Sequence, residues 1–448
     1  MTAASELPAA LDEQRPTAKL VVATVVGNTI EFYDFIIYGT MTAVAFNQVF
    51  FPSSSPAVGT LLTFGAFAVG FFSRPLGGLV FGHFGDRVGR KPMLALTLGI
   101  MGTATFLMGL LPSYATIGFW APLLLTVLRF AQGFGIGGEW GGAVSLVVES
   151  APARKRGFYG SLVQLGSGFG IIMASLTVTI LLSVLSTEQL LAWGWRIPFL
   201  LSITLVGVGM VVRLRLAESP AFERVRHQGV RSRMPLLATL RRYPRNVAVA
   251  TGLHVADAAF GFMLGVFAIS YTSTQLGLPR SIAVAANLTN GITYLLMTPI
   301  GGWLSDRIGR KRAYGWCAAL IIPAVFVFFA LVETKEIPLV FLGNAIAGAV
   351  GGAIYGIQAA FFSELFATNN RYSGISIGFQ FATVLGGALM PTVATLLLAA
   401  SGGATWSISA YIAGLTVITL ICTAAAKITG WTQADEAVLP VADPERRT

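Results

Sequence analysis

The sequence predicts an all-α integral membrane protein in which twelve spanning helices form two pseudo-symmetric six-helix bundles. Three observations lead to this prediction. Apolar runs of roughly 20 residues fill nearly the whole chain, only 11% of the 448 residues are charged, and one polar loop recurs in both halves. A soluble domain has about 25% charged residues, so the composition excludes a protein built from soluble domains.

The recurring loop reads GHFGDRVGRKP at 82–92 and GWLSDRIGRKR at 302–312. Matching residues of the two copies are separated by a constant number of residues, and each copy lies between two apolar runs. This arrangement is typical of a duplicated membrane bundle. The alternative to a duplication is that both stretches are ordinary short loops, in which Gly, Arg and Lys are common. We expect the two copies to form a cytoplasmic gate from Gly82, Asp86, Arg87, Gly89, Arg90, Asp306, Arg307, Gly309 and Arg310.

The apolar runs place the spans at 20–46, 57–81, 92–112, 118–148, 157–186, 195–216, 246–276, 281–304, 312–332, 338–362, 372–400 and 405–428. The predicted units are a tail at 1–19, a bundle at 20–216, a basic linker at 217–245, a bundle at 246–428 and a tail at 429–448. Lys and Arg concentrate on one side, and short basic loops stay in the cytoplasm. We therefore expect a multi-pass protein of the plasma (inner) membrane with both termini cytoplasmic. The net charge of +10 then needs no nucleic-acid partner.

The first span carries two carboxylates at membrane depth. Glu31 and Asp34 are three residues apart, so they share one helical face, which Asn28 and Tyr38 extend. A charge at that depth costs about 2.5 kcal/mol or more. The pair predicts a substrate or proton site, and an ion pair between helices is the alternative.

Two arginines also lie within spans. Arg74 either faces the interior or snorkels to the cytoplasmic surface. Arg129 is followed one turn later by Gln132, and Glu139 lies about 15 Å further along the helix. Arg129 is the first candidate for binding an anionic group or for biasing a nearby carboxylate. A buried pair with one of the first-span carboxylates is a compatible alternative.

The second half offers further candidates. His254 and Asp257 repeat the spacing of three residues in the seventh span, where His can titrate near neutral pH. Hydrogen bonding between helices is an equally good interpretation of the other polar residues on the expected cavity wall, which are Asn287, Asn290, Tyr294, Tyr355, Gln358 and Gln380.

A second repeated pattern closes the fourth and tenth spans. Glu149 precedes Arg156 by seven residues, and Glu364 precedes Arg371 by seven. These charges could lock the cytoplasmic face and separate when it opens. Solvated salt bridges, each worth about 0–1 kcal/mol, are the alternative.

Several motifs together resemble one family. The G-x-x-x-D-R-x-G-R-K loop is similar to the signature of the major facilitator superfamily, and RFAQGFG at 129–135 resembles a motif of its proton-coupled members. NTIEFYDFIIYG, SRPLGG, GGEWGGA, WGWRIPF, ESPAF and AAFFSELF resemble the metabolite:proton symporter branch, which carries shikimate, 2-oxoglutarate, proline or betaine. GLHVADAAFGF in the seventh span departs from the pattern of that branch.

The resemblance implies a secondary transporter, which we expect to import a small, anionic organic acid with protons by alternating access. A monomer could contain the whole transport path, and we expect a monomer. The proton is the coupling ion, and no other cofactor or metal is expected. In this scheme a proton on Asp34 or Glu31 frees Arg129 to bind the substrate carboxylate. Symport of a zwitterion such as betaine or proline is the alternative, and a proton-driven exporter is a further one. Motifs for an enzyme, a channel pore or a signalling domain are missing from the sequence.

Overall fold

The computed structural model describes residues 18–52, 56–88, 90–137, 141, 144, 147–215, 243–366 and 371–428. All regular elements in these ranges are helical. Nine helical segments are long and apolar enough to cross a membrane, and two shorter apolar helices lie at Ala95–Leu110 and Trp120–Ile136. A twelfth helix, Arg280–Ile308, has 29 residues but is too polar to join the nine. Polar residues within a membrane span usually face the interior of the bundle or a water-filled cavity, so this helix indicates an internal cavity.

The helices fall on the twelve predicted spans. In chain order they are α1 (Ala18–Phe50), α2 (Pro56–Phe72 continued by Arg74–Val88), α3 (Arg90–Leu110), α4 (Trp120–Ile136), α5 (Arg156–Val184), α6 (Ile197–Arg215), α7 (Pro244–Gln275), α8 (Arg280–Ile308), α9 (Arg310–Glu333), α10 (Ile337–Ser363), α11 (Arg371–Ala382 continued by Met390–Ala400) and α12 (Trp406–Ala425). Two short helices, Tyr114–Ile117 and Thr187–Ala192, lie in connections. The tails and most of the predicted linker lie outside the described residues.

The two halves pack as separate bundles that meet along a central seam. In the first half, α1 packs on α5, α3 on α6, and α4 on both α2 and α3. In the second half, α8 packs on α10, and α7 packs on α11 and α12. The seam is formed mainly by α5 against α8 and α10, with α1 against α7 and α2 against α11.

Glycines bring α5 and α8 together at the seam. A Cβ on Gly157 would collide with the carbonyl of Gly302, and one on Gly291 would lie 2.8 Å from Ile171 Cγ2. Small residues of this kind let helix backbones approach closely inside a membrane. The loop between α8 and α9 needs glycine for another reason, because Gly309 has a φ of 91°, where a side chain would be strained.

The helices bend where they border the centre of the molecule. α2 breaks at Ser73 because Pro75 cannot donate a backbone hydrogen bond, and the helix resumes at Arg74. Turns of π-helix interrupt α1 at Thr42–Phe46, α7 at Met263–Phe267 and α11 at Thr383–Ala388. Such turns are frequent at functional sites, and here they belong to the helices of the central seam.

Candidate functional site

A cavity of about 90 Å³ lies between the two bundles. Its charged and polar wall combines Glu31 and Arg74 from the first bundle with His254, Asp257 and Asn290 from the second. Aromatic rings cover much of the remaining surface, from Phe32, Phe35, Phe71, Phe262, Tyr294, Tyr355 and Phe379. A few convergent polar groups in an aromatic pocket are typical of a small-molecule site.

The two bundles come into close contact on both sides of the cavity. We call the end that carries Asp306 and Arg310 the basic end, and the opposite end the far end. Toward the far end, α1 meets α7 so closely that a Cβ on Gly39 would lie 2.7 Å from Val266 Cγ2. Toward the basic end, the glycine contact between α5 and α8 closes the seam. Close contacts between the bundles therefore flank the cavity on both sides.

The cation on the cavity wall is Arg74. Its NH1 lies 3.4 Å from Glu31 Oε1, and the two residues are only 6% and 8% exposed. The guanidinium also stacks on Phe71 at 4.3 Å, while its Nε has no hydrogen-bond partner among the described residues. Arg74 does not snorkel, because the break at Ser73 and the glycine packing of α2 on α4 hold it at mid-helix.

Asp34 belongs to a second polar cluster, inside the first bundle. The hydroxyl of Thr105 on α3 donates to Asp34 Oδ2 at 2.8 Å, and Gln132 Nε2 donates to Thr105 Oγ1 at 2.7 Å. Arg129 NH1 donates to Gln132 Oε1. Asp34 is fully buried, and its Oδ1 lacks a hydrogen-bond partner among the described residues. The cluster links α1, α3 and α4 through one chain of polar groups.

Arg129 lies behind the cavity wall. It is 2% exposed, and its guanidinium sits over Tyr38 at 4.2 Å and over Phe67 at 5.0 Å. Phe71 stands between the two arginines, 4.3 Å from the Arg74 guanidinium carbon and 5.6 Å from that of Arg129. Neither Arg129 nor Asp34, Tyr38 and Gln132 borders the cavity. Sequence reasoning named all four but missed Thr105, which nothing in its neighbourhood singles out.

The second bundle contributes a histidine–carboxylate pair. His254 Nδ1 lies 3.3 Å from Asp257 Oδ2, which also accepts from Gln358 Nε2 at 2.7 Å. The His254 ring stacks on Phe379 with 4.2 Å between centroids. Tyr314, on α9, donates to the carbonyl of Leu253 at 2.6 Å and lies 3.3 Å from Gln358 Nε2. Gln358 therefore holds Asp257 in place without itself bordering the cavity.

The remaining wall candidates divide between cavity and packing. Tyr355 borders the cavity and packs edge-on against Phe32, at 6.2 Å. Asn287 instead ties the bundles together, because its Nδ2 donates to Ser175 Oγ on α5 at 3.0 Å. Asn290 does both, since it borders the cavity and donates to Asn287 Oδ1 at 3.1 Å. Gln380 is buried away from the cavity.

Asp306 joins the two bundles at the basic end. Its two carboxylate oxygens accept from the backbone N–H groups of Gly157 and Phe158, at 2.9 and 2.8 Å. These N–H groups lie at the N-terminus of α5, where the helix dipole favours a negative charge. Asp306 itself lies in the last turn of α8, so a helix of the second bundle supplies the carboxylate that caps a helix of the first.

Arg310 adds two ion pairs to this contact between the bundles, and we call the contacts of Asp306, Arg310 and Glu364 the lock. Its NH1 lies 2.6 Å from Asp306 Oδ1, and its Nε lies 3.2 Å from Glu364 Oε1. Burial raises the pKa of the Glu364 carboxyl, against the opposing attraction of Arg310 and Arg156. Arg156 belongs to the first bundle, so this electrostatic contact also crosses the seam. Arg307 instead points outward and stacks on Trp303 at 4.1 Å.

The other expected gate residues are placed less completely. Glu149 is exposed at the basic end. Gly89 and Glu139 lie outside the described residues. Helices include Gly82, Asp86, Arg87, Arg90 and Arg371, but their side chains lie outside the described part of the chain.

Known families match both halves of the chain. The model of "Sugar (and other) transporter" matches residues 19–242, and that of "Major Facilitator Superfamily" matches residues 249–443. These families and the relatives below are transporters, not enzymes, as expected.

Curated relatives extend over most of the chain. The shikimate transporter of Escherichia coli is 42% identical over 389 residues, which cover 86% of this chain and 89% of the relative. An inner membrane metabolite transport protein of Escherichia coli is 40% identical over 411 residues, covering 90% and 93%. The proline/betaine transporter of Salmonella typhimurium is 37% identical over 396 residues, covering 86% and 78%.

Solved structures share the fold. The crystal structure of a D-xylose-proton symporter has a TM-score of 0.68 and 18% identity, covering 92% of this chain and 98% of the other. A xylose symporter bound to 6-bromo-6-deoxy-D-glucose has a TM-score of 0.72 and 17% identity, covering 91% and 94%. The two bundles and their helix order are therefore those of a known transporter architecture.

Proposed function

This chain belongs to the major facilitator superfamily, and from that premise we propose that it imports a small organic anion together with protons by alternating access. The observation that carries the proposal is the buried Arg74–Glu31 pair on the wall of the cavity between the bundles. A buried cation whose partner can be protonated is suited to exchange that partner for a substrate carboxylate. Charge-assisted hydrogen bonds to carboxylates are among the strongest that proteins make.

We assign substrate binding to Arg74 rather than to Arg129. Arg74 borders the cavity and pairs there with Glu31, whereas Arg129 is held behind Phe71 by Gln132 and Tyr38. A proton on Glu31 neutralises its carboxylate and frees Arg74. The aromatic rings of Phe35, Phe71 and Phe262, 4.7 to 5.2 Å apart, then pack against the body of the substrate.

The Asp34 cluster is the proposed coupling element of the first bundle. A fully buried carboxylate costs several kcal/mol unless it is paired or protonated, and Asp34 Oδ1 has no hydrogen-bond partner among the described residues. Electrostatic interactions connect Asp34 to Glu31 and to Arg129, and Arg129 to Arg74. A proton gained by Asp34 therefore changes the charge balance that Arg74 and Glu31 experience.

The lock at the basic end supports the direction of the cycle. Because the basic loops are expected to be cytoplasmic, we place Asp306 and Arg310 at the inner face, with both termini on the same side. Opening toward the cytoplasm breaks the hydrogen bonds from Gly157 and Phe158 to Asp306. Substrate and proton then leave inward from a single monomer.

The cavity also fits a second substrate class. The carboxylates of Glu31 and Asp257 and the surrounding rings can hold a quaternary ammonium group by cation–π contact. A zwitterion such as betaine or proline is therefore the alternative, and proline/betaine transporters are among the relatives. The higher identity to the shikimate transporter favours the organic acid.

Uptake by the purified chain in proteoliposomes tests the proposal. The panel is labelled shikimate, hydroxybenzoate, 2-oxoglutarate, citrate, betaine and proline, each with and without an inward proton gradient. We expect gradient-driven accumulation of one acid. Accumulation of betaine or proline alone would establish the alternative, and export alone would contradict both.

A further inference from the structure

His254 and Asp257 face the cavity from the bundle opposite Arg74. They lie one turn apart on α7 and are 4% and 6% exposed. Their closest polar atoms are 3.3 Å apart, although His254 Nδ1 makes no hydrogen bond within the described part of the chain. Gln358 fixes the carboxylate and Phe379 fixes the imidazole ring. The side chains of the pair are thus held in place, and His254 Nδ1 is available to bind a proton.

Charge balance favours one proton on this pair. With one proton the pair is neutral overall, either as imidazole beside a carboxylic acid or as an ion pair. With none it carries one negative charge, and with two it carries one positive charge. An uncompensated charge at such low exposure costs several kcal/mol.

In the part of the chain that the structure describes, the groups around the pair do not supply a counter-charge. The titratable side chains around the pair are Tyr294 on α8, Tyr314 on α9 and Tyr355 on α10. Across the cavity lie Arg74 and Glu31, which already pair with each other. The proton shared by His254 and Asp257 is therefore what keeps the wall of the second bundle neutral.

We propose that His254 and Asp257 form a second proton-binding site, in addition to the carboxylates of the first bundle, and that its proton travels with the substrate. This inference rests on the proposed function. An anionic substrate at Arg74 adds negative charge to the same cavity, which favours the protonated pair. Substrate and proton then increase each other's affinity by the same factor.

The proton comes from the outer medium and forms one N–H bond at His254 or one O–H bond at Asp257. When the basic end opens, that bond breaks and the proton passes to water on the inner side. No other reactant is needed. Each transport cycle then moves one proton more than the carboxylates of the first bundle would carry by themselves.

Spectroscopy of the full chain in nanodiscs tests the pair directly. The sequence contains three histidines, so ring-labelled histidine gives three signals, and the His83→Gln and His227→Gln variants identify that of His254. Both signals are followed from about pH 5 to about pH 8, and binding of the proton should produce one of two changes. Either His254 changes between imidazole and imidazolium, or an infrared band of a protonated carboxyl appears that Asp257→Asn removes.

Adding shikimate, the probe, should shift this change toward higher pH. A His254 signal and a carboxyl band that both stay constant over the whole range would overturn the proposal. This measurement needs no variant at Asp257 to assess His254, so a folding defect in Asp257→Asn does not remove the test.

Stoichiometry provides the second test. Proton gradients that just balance opposing shikimate gradients give the number of protons per substrate in proteoliposomes. We expect Asp257→Asn to move one proton fewer than the native chain. The matched control is Glu333→Gln, because this carboxylate lies at the far end, where Tyr271 and Thr405 donate to it at 3.2 and 2.6 Å.

The outcomes separate the two proposals. An unchanged stoichiometry in Asp257→Asn overturns the second proton site and leaves symport intact. Absence of any gradient-driven uptake by the native chain contradicts the proposed function. The spectroscopic titration still decides in that case whether the pair binds a proton.

Discussion

Arg74 and Glu31, from two helices of the first bundle, face each other at 3.4 Å on the wall of the cavity between the bundles. Each is almost completely buried, and Phe71 backs the arginine. This contact places a cation and a protonatable partner at the proposed substrate site. The predictions below follow from it and from the two clusters that flank it.

Replacing Arg74 removes the proposed substrate anchor. Loss of one partner of a buried, hydrogen-bonded charge pair costs about 2–5 kcal/mol, so Arg74→Gln should weaken binding of the transported acid by at least about 30-fold. Equilibrium binding of the labelled acid measures the effect. Arg196→Gln is the control, because Arg196 donates to backbone carbonyls in a connection at the far end. Equal affinity in Arg74→Gln and the native chain would rule out the anchor.

Neutralising Asp34 should separate transport from proton coupling. Asn keeps the hydrogen bond from Thr105 but cannot gain or lose a proton. We expect Asp34→Asn to exchange labelled for unlabelled substrate at the normal rate. A proton gradient of one pH unit supports about tenfold accumulation of substrate per coupled proton, and this accumulation should fall sharply in the variant. Counterflow and gradient-driven uptake in the same vesicles measure both. Retained accumulation would remove Asp34 from the coupling mechanism.

Removing Asp306 should open the basic end. Its two hydrogen bonds from the α5 backbone are charge-assisted, and each such bond contributes about 1.5–3 kcal/mol. Asp306→Ala should therefore raise the inward-open fraction by about tenfold or more. Spin labels at the exposed positions 154 and 312 report the distance between the bundles. Arg307→Ala, whose side chain points outward, should leave it unchanged, and an equal effect of both variants would contradict the lock.

The pH dependence of the lock follows from Glu364. Burial raises the pKa of its carboxyl in the closed state, whereas an open lock restores the ordinary value of about 4.3. The protonated carboxyl thus stabilises the closed state. This stabilisation is complete below the ordinary value and is lost as pH rises through the raised one.

The inward-open fraction should therefore increase with pH across that window. Glu364→Gln should abolish the increase, and the same spin-label distance measures it. Glu333→Gln, a carboxylate at the far end, serves as the control. An open fraction that falls with rising pH would show that the attraction of Arg310 outweighs burial.

The overall architecture could be predicted because its signals are local. Span length, the loops around Asp86 and Asp306, and the one-sided basic residues each depend on a short stretch of sequence. The family and the fold class are confirmed by the similarity of both halves to transporter families. Even α8, which is too polar for a hydropathy threshold, was placed by the apolar runs on either side of its polar residues.

The orientation of single side chains could not be predicted in the same way. Helical spacing places Glu31 and Asp34 on one face, yet Glu31 borders the cavity and Asp34 points into the first bundle. Arg129 was preferred to Arg74 from sequence, but the rotation of α2 depends on distant glycine contacts. A Cβ on Gly77 would collide with the backbone of α4 at Phe134. Such contacts between helices are not encoded in local spacing.

The most direct test of symport is proton movement driven by substrate. Proteoliposomes containing a pH-sensitive dye and no imposed gradient receive labelled shikimate from outside, and the lumenal pH is followed. Symport predicts that the lumen acidifies in step with substrate uptake. The native protein and Glu333→Gln should both show this acidification, and Arg74→Gln should not. Uptake of the same acid without any change in lumenal pH would contradict the account.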